Sequence, residues 1–312
     1  MSRPDFKPRD VEEWIDWHLH RRLAAFVVDR LAPTPITPNQ VTLASGAVGL
    51  LAGGALYLAA TGSRIWGLVA GATLLFGVVL DCADGQLARI RGEASPLGRA
   101  LDGLIDAVTP TAVMLAMVAL LIAEGFAPGP VWLAGSLAGA SLLWHASLYD
   151  QRKNLFLHAS RPDFDLGGDT VMLPTAIAEL ARRLAEEGRP GAALVVRIWV
   201  LWTAPQRAFL ARGVEVRFPP LRDEERLAYR EALGPVMRAT SWLGFGTHLA
   251  LLWLAAALVP LTAWGVVVAW GVMVGPLNLL ALVTMGWRAR RVAAYRQRLD
   301  RLRRHPSSPS GS

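Results

Sequence analysis

Cysteine is almost missing from this sequence: Cys82 is the only one in 312 residues. An internal disulfide and a cysteine-based zinc site are thereby excluded. Lysine is nearly as scarce, since all but Lys7 and Lys153 of the 32 basic residues are arginine. Charge as a whole is thin, at 18% of residues, against roughly 25% in an average soluble domain. Hydrophobic residues make up 53% and mean hydropathy is +0.34. These values exclude a disordered chain and a coiled coil, and fit an ordinary water-soluble enzyme poorly. The first thirty residues are charged throughout and lack a short apolar core followed by small residues, so no cleavable signal is expected. The net charge of +7 and the isoelectric point near 10.4 would serve nucleic acid or anionic lipid. The apolar excess selects lipid, with no nucleic-acid partner.

Uncharged runs set out the architecture. Thr34 to Ser63, Ile65 to Leu80, Ala107 to Ala123, Gly125 to Tyr149 and Ala239 to Trp287 carry no formal charge. A spanning helix needs about 20 mostly apolar residues. The pattern predicts an all-α integral membrane fold, a six-helix transmembrane bundle with spans near 38–61, 65–90, 97–123, 128–150, 237–258 and 262–288. The second and third spans reach full length only by including acidic residues, and a carboxylate in a membrane is usually functional. The connections holding Arg89, Arg91, Arg99, the 151–236 segment and the tail from Arg288 to Arg304 are rich in arginine. The opposite connections hold only Arg64. The positive-inside rule therefore places both termini in the cytoplasm, as in a bacterial inner-membrane protein. Trp66, Trp132 and Trp264 then mark the outer interface, and Trp144, Trp242 and Trp287 the inner one.

Five segments follow. Residues 1–37 are cytoplasmic or interfacial. Val11, Ile15, Leu19, Leu23 and Val27 recur every four residues and predict an amphipathic helix over 10–31, with Arg21, Arg22 and Arg30 available to lipid phosphates. Residues 38–150 hold four spans. Residues 151–236 form a cytoplasmic or interfacial helical insertion, with helices expected over 173–187, on an Ile177, Leu180, Leu184 stripe, and over 191–212. Residues 237–288 hold the last two spans. Residues 289–312 are a basic tail, expected to be disordered beyond His305.

The densest chemistry lies where the second and third spans meet. Asp81 and Asp84 share a face with Ala88, and Gly98, Asp102 and Asp106 share another, because residues three and four apart are helix neighbours. The short link from Ile90 to Leu97 makes the two helices antiparallel neighbours. Ser95 and Pro96 suit the cap and first turn of the second of them. Four converging carboxylates repel, each pair by about 4 kcal/mol at 4 Å and an effective dielectric of 20, so protons or cations must neutralise them. A set of oxygen ligands alone suits hard ions such as Mg²⁺ or Mn²⁺, and four carboxylates suit two ions clamping a phosphoryl group. Gly85 and Ala88 leave room at the backbone, and Arg89 offers a fork for phosphate.

The stretch D-x-x-D-G-x-x-A-R-x8-G-x-x-x-D-x-x-x-D, from Asp81 to Asp106, resembles the signature of the CDP-alcohol phosphotransferases at every defined position. The sequence Thr37-Pro38-Asn39-Gln40-Val41-Thr42 is also similar to the start of that family's first span. The likeness covers roughly residues 20–150, and the 151–236 segment is longer than in small family members. The resemblance implies that Asp81, Asp84, Asp102 and Asp106 bind two divalent cations, and that Asp106 is the general base. It implies that Gly85, Ala88 and Arg89 hold the cytidine diphosphate, with Asn39 and Thr42 near the nucleotide. It also implies a homodimer acting on membrane lipid.

The expected reaction is attack of an acceptor hydroxyl on a CDP-linked alcohol, with CDP-diacylglycerol favoured as donor, to give a phosphodiester and CMP in phospholipid biosynthesis. Transfer of a CDP-activated headgroup to another alcohol stays open. An ion or proton carrier and a non-catalytic scaffold are the rival classes. Arg152, Lys153, Arg238 and Arg288 are candidates to hold a phosphorylated acceptor, although basic residues that merely orient the chain are the simpler account. His145 and His248 could orient an acceptor, and a satisfied buried pair is the simpler account of these.

Overall fold

Proline and small polar residues decide where the helices begin. The structure, a computed structural model, describes residues 9–161, 174–211 and 221–304. Helix α1 is Arg21–Leu31, and a π-helical stretch at Asp16–His20 leads into it. Helix α2, Pro38–Thr61, starts on a reciprocal cap. Thr37 Oγ1 accepts from Gln40 N, and Gln40 Oε1 accepts from Thr37 N. Helix α3 is Ile65–Arg91, and it ends at Gly92, whose φ is 67°. There Gly92 N donates to Arg89 O and Glu93 N to Ala88 O, the pair of bonds by which a left-handed residue closes a helix. Helix α4, Pro96–Ala123, starts with Ser95 Oγ accepting from Gly98 N at 3.0 Å. Helix α5 is Pro128–Ser160, α6 Pro174–Glu186, α7 Pro190–Ala211, α8 Asp223–Thr240, α9 Phe245–Ala257, α10 Trp264–Val272 and α11 Asn278–Arg304. Among the described residues there is no strand.

Five helices are long and apolar enough to cross a membrane by length and composition: α2, α3, α4, α5 and the continuous Trp264–Arg304. The chain is an integral membrane protein built of helices. Two expected spans differ from the pattern in the sequence. The run 237–258 is divided among the end of α8, a 3₁₀ turn at Ser241–Leu243 and the 13-residue α9. Gly244 takes an extended backbone there and breaks the helix. The run 262–288 continues to Arg304, through a π-helical stretch at Met273–Leu277 that contains Pro276. Lost hydrogen bonds at that proline are what such a stretch accommodates.

The bundle centre is apolar. Leu56, Leu74, Met117, Leu120, Leu252 and Met273 are fully buried in one cluster. Close approach of α2 to α4 depends on its small face. A β-carbon on Gly46 would overlap Ile105, and one on Gly49 would overlap Thr109. Gly53 lies against Ala112, and Gly54 faces open space. Three of those four glycines therefore serve packing within the chain.

The N-terminal segment departs from its apolar stripe. Glu12, Glu13, Asp16, His20 and Arg21 are buried, while Trp14, Leu23 and Phe26 are exposed. Arg21 pairs with Glu12 at 3.0 Å, which removes it from the residues available to lipid phosphate. Arg22 and Arg30 are exposed. In the insertion, α6 and α7 lie close to their expected positions. Leu180 and Leu184 join one cluster, and the Ile177 side chain lies outside the described part, as does the tail from His305. Helix α8 was not anticipated, because three acids open it and it is polar in sequence.

Candidate active site

The left-handed turn at Gly92 and the cap at Ser95 reverse the chain between α3 and α4, but both helices pack along α2 rather than on each other, unlike the direct neighbours expected from the short link. Their facing ends bring Asp81, Asp102 and Asp106 together. One carboxylate oxygen from each lies within 4.8 Å of the others, and all three residues are half-buried. Such a set carries three like charges and only oxygen donors, which fits a hard divalent cation. The structure does not add Asp84 to this group of three. Asp84 is buried one turn along, where Thr42 Oγ1 donates to its Oδ2. Its charge and those of Asp102 and Asp106 act on one another, so the four acids form one electrostatic unit.

The first turn of α2 completes the floor. Thr42 spends its hydroxyl on Asp84 and the Pro38 carbonyl. Asn39 stands over the start of α4, where a β-carbon on Gly98 would lie 2.9 Å from Asn39 Oδ1. Gly98 is thus required by the approach of α2. Gly85 has an open flank, with Arg89 Nη1 at 3.4 Å from a β-carbon placed there. Ala88 and Arg89 are half-buried on the same end of α3. Thr42 and Arg89 thus act directly on Asp84, while Asn39 lies against Gly98 at the start of α4 and Gly85 and Ala88 lie on the same end of α3.

The basic candidates separate. Lys153 is buried, pairs with Asp150 at 2.6 Å, and its charge reaches Asp106. Arg152 is buried on another side of α5, donating to Thr284 Oγ1 at 2.9 Å and Thr240 Oγ1 at 3.2 Å, with the Arg288 charge nearby. Arg238 is exposed, 4.0 Å from Asp10. His145 and His248 bond each other at 3.0 Å, and Asn278 Oδ1 and the Gly244 carbonyl take the outer nitrogens. Both outer nitrogens donate to carbonyl oxygens, so a hydrogen bond between the two buried rings needs one further shared proton.

Sequence reasoning missed Arg91. Its guanidinium gathers the carbonyls of Leu31, Ala32, Thr34 and Ile36 at 2.6–3.2 Å. It therefore ties the proline-rich α1–α2 link to the end of α3. Only its place within the acidic motif, two residues after Arg89, hinted at this.

The family model for CDP-alcohol phosphatidyltransferases matches residues 35–204, more than half of the chain. The chain belongs to the CDP-alcohol phosphatidyltransferase family. A phosphatidylinositol phosphate synthase of Corynebacterium glutamicum is 38% identical over 112 residues, 35% of this chain and 49% of the relative. An archaetidylinositol phosphate synthase of Pyrococcus horikoshii is 37% identical over 84 residues, 27% of this chain and 42% of the relative. A bifunctional IPC transferase and DIPP synthase of Rubrobacter xylanophilus is 36% identical over 89 residues, 28% of this chain and 19% of the relative. The chain thus spans less than half the length of each of these relatives. The acidic group and the helices around it lie inside the matched region.

Proposed function

We propose that this protein transfers the phosphatidyl group of CDP-diacylglycerol to the hydroxyl of a phosphorylated polar alcohol, releasing CMP. The observation that carries the reading is the convergence of Asp81, Asp102 and Asp106 within 4.8 Å, inside the segment matched by the family. Asp81, Asp84, Asp102 and Asp106 are the residues to hold two Mg²⁺ or Mn²⁺ ions. Bound there, such ions would neutralise charge on the diphosphate and on the departing CMP. Arg89 offers its planar fork to a phosphate of the donor, and the open flank of Gly85 admits the nucleotide. Asp106 accepts the proton of the acceptor hydroxyl. The oxygen then attacks the β-phosphorus, the bond to the CMP oxygen breaks, and a phosphodiester and CMP result. Positioning and charge stabilisation supply most of such a rate.

The names of two relatives contain inositol phosphate, which supports a phosphorylated cyclitol as acceptor. Lys153, whose charge reaches Asp106, is the basic residue placed to meet that phosphate. The acidic end of the bundle is taken to face the cytoplasm, and the active unit is taken to be a homodimer.

The test is CMP release from CDP-diacylglycerol by purified protein, with inositol phosphate as acceptor. Release is expected to require Mg²⁺ or Mn²⁺. Asp106→Asn should lose about 10²–10⁴ in rate, the usual share of a general base. Release that persists at the wild-type rate in Asp106→Asn, or in chelator, would overturn the reading.

A further inference from the structure

The insertion does not stand clear of the bundle. Ala181 and Leu184 of α6 and Ala193 and Val196 of α7 are buried in one cluster with Ala100 of α4. Three residues after Ala100 comes Gly103, and three after Val196 comes Trp199. That shared step of about one turn carries the contact along both helices. A β-carbon on Gly103 would lie 2.7 Å from the Trp199 Nε1 and 3.0 Å from its Cδ1. The indole therefore fills the clearance left by this glycine. Glycine inside a helix is less favourable than alanine, so the notch is a cost in α4 that the ring offsets from α7.

The position of the notch matters more than its depth. Gly103 directly follows Asp102 and stands three residues before Asp106, on the adjoining strip of the helix surface. The indole thus lies on the flank of the turn that bears two of the three converging carboxylates.

We propose that Trp199 is a specificity-determining residue of the transfer: it closes the α4 side of the acidic site and keeps water from competing with the acceptor alcohol. This rests on the site being a CMP-releasing transferase. Two nucleophiles can attack the same β-phosphorus. An alcohol gives a phosphodiester and CMP. Water gives phosphatidate and CMP, with the same phosphorus–oxygen bond broken and the water proton released. Excluding water from a closed site suppresses the second outcome.

The experiment measures Mg²⁺-dependent CMP and phosphatidate formation from CDP-diacylglycerol in vesicles without acceptor, then CMP and phosphodiester formation with inositol phosphate. Trp199→Ala is expected to raise the water reaction severalfold while lowering the yield of phosphodiester per CMP. Gly103→Ala, which pushes the ring from the opposite side, should move both in the same direction. Trp199→Phe, which keeps an aromatic cover, should restore the wild-type partition. A merely structural role lowers every rate and never raises that of water. A water reaction unchanged or slowed in Trp199→Ala and Gly103→Ala, with transfer present in wild type, overturns the role of Trp199 alone. No Mg²⁺-dependent CMP from wild type under either condition overturns the transferase reading as well.

Discussion

Asp84 is the acid whose surroundings differ most from those of its three companions. It is buried and takes the Thr42 hydroxyl across from α2. A hydrogen bond to a charged group contributes about 1.5–3 kcal/mol, and partners behind metal ligands typically change affinity or activity by about 10–100-fold. Thr42→Val keeps the shape and removes the donor. It is expected to lower CMP release by about 10–100-fold and to raise the Mg²⁺ concentration needed for half-maximal rate, with thermal stability little changed. Thr42→Ser, which retains the hydroxyl, should recover most of the rate. If Thr42→Val leaves the Mg²⁺ requirement where it was, the bond serves packing alone. The pattern of aspartates was legible in the sequence because helix periodicity puts residues three and four apart on one face. The division into a group of three and a separate Asp84 was not, since it depends on where α2 delivers Thr42.

At the scale of the element, the N-terminal segment works as a strap between α3 and α9. The Gln86 side chain donates to the Arg21 carbonyl on one side. On the other, Glu13 accepts from Thr247 N at 2.8 Å, Thr247 Oγ1 at 3.0 Å and Gly246 N at 3.3 Å, at the start of α9. Those donors favour the carboxylate, but burial and the neighbouring Asp16 outweigh them and push Glu13 up to about 8. The unfolded value is near 4.5, so the folded protein holds this proton more tightly than the unfolded chain. Its contribution to stability is complete below about pH 4.5 and is lost as pH rises towards 8. Glu13→Gln, a neutral side chain of the same shape, should flatten the fall of the unfolding temperature between pH 5 and 8. An identical slope in wild type and Glu13→Gln would mean that another group carries it. None of this was legible in the periodicity: Val11, Ile15 and Leu19 marked a helix, yet its acids turn inward because α9 offers unpaired backbone donors. By contrast, Ser95 with Pro96 marked the start of α4 in the sequence itself, because caps and first-turn prolines act locally. Gly244, which divides the expected fifth span, lies in an uncharged run where hydropathy registers no change.

Across the whole molecule the two ends of the bundle are chemically distinct. One end gathers the aspartates, Arg89, Arg91, Arg99 and Lys153. Arg64 lies at the other end, near Glu124 at 3.4 Å and donating to the Val259 carbonyl at 2.9 Å. Trp264–Arg304 runs for 41 residues, about 60 Å at 1.5 Å per residue, so roughly half of it exceeds the apolar thickness of about 30 Å. Its arginine-rich end leaves the bundle beside α8, where Arg303 meets Glu225 at 2.9 Å and Arg298 meets Glu231 at 3.0 Å. The positive-inside rule predicts that an arginine-rich end of this kind faces the cytoplasm, and the acidic site with it. The orientation has a direct test. In a Cys82→Ser background, cysteines at the exposed Ser63 and Glu93 occupy opposite ends of α3. An impermeant maleimide added to sealed right-side-out vesicles should label Ser63→Cys at once and Glu93→Cys only after the membrane is opened. The reverse pattern would place the aspartates outside. Equal labelling of both in vesicles that exclude the reagent would mean that α3 does not cross the membrane at all.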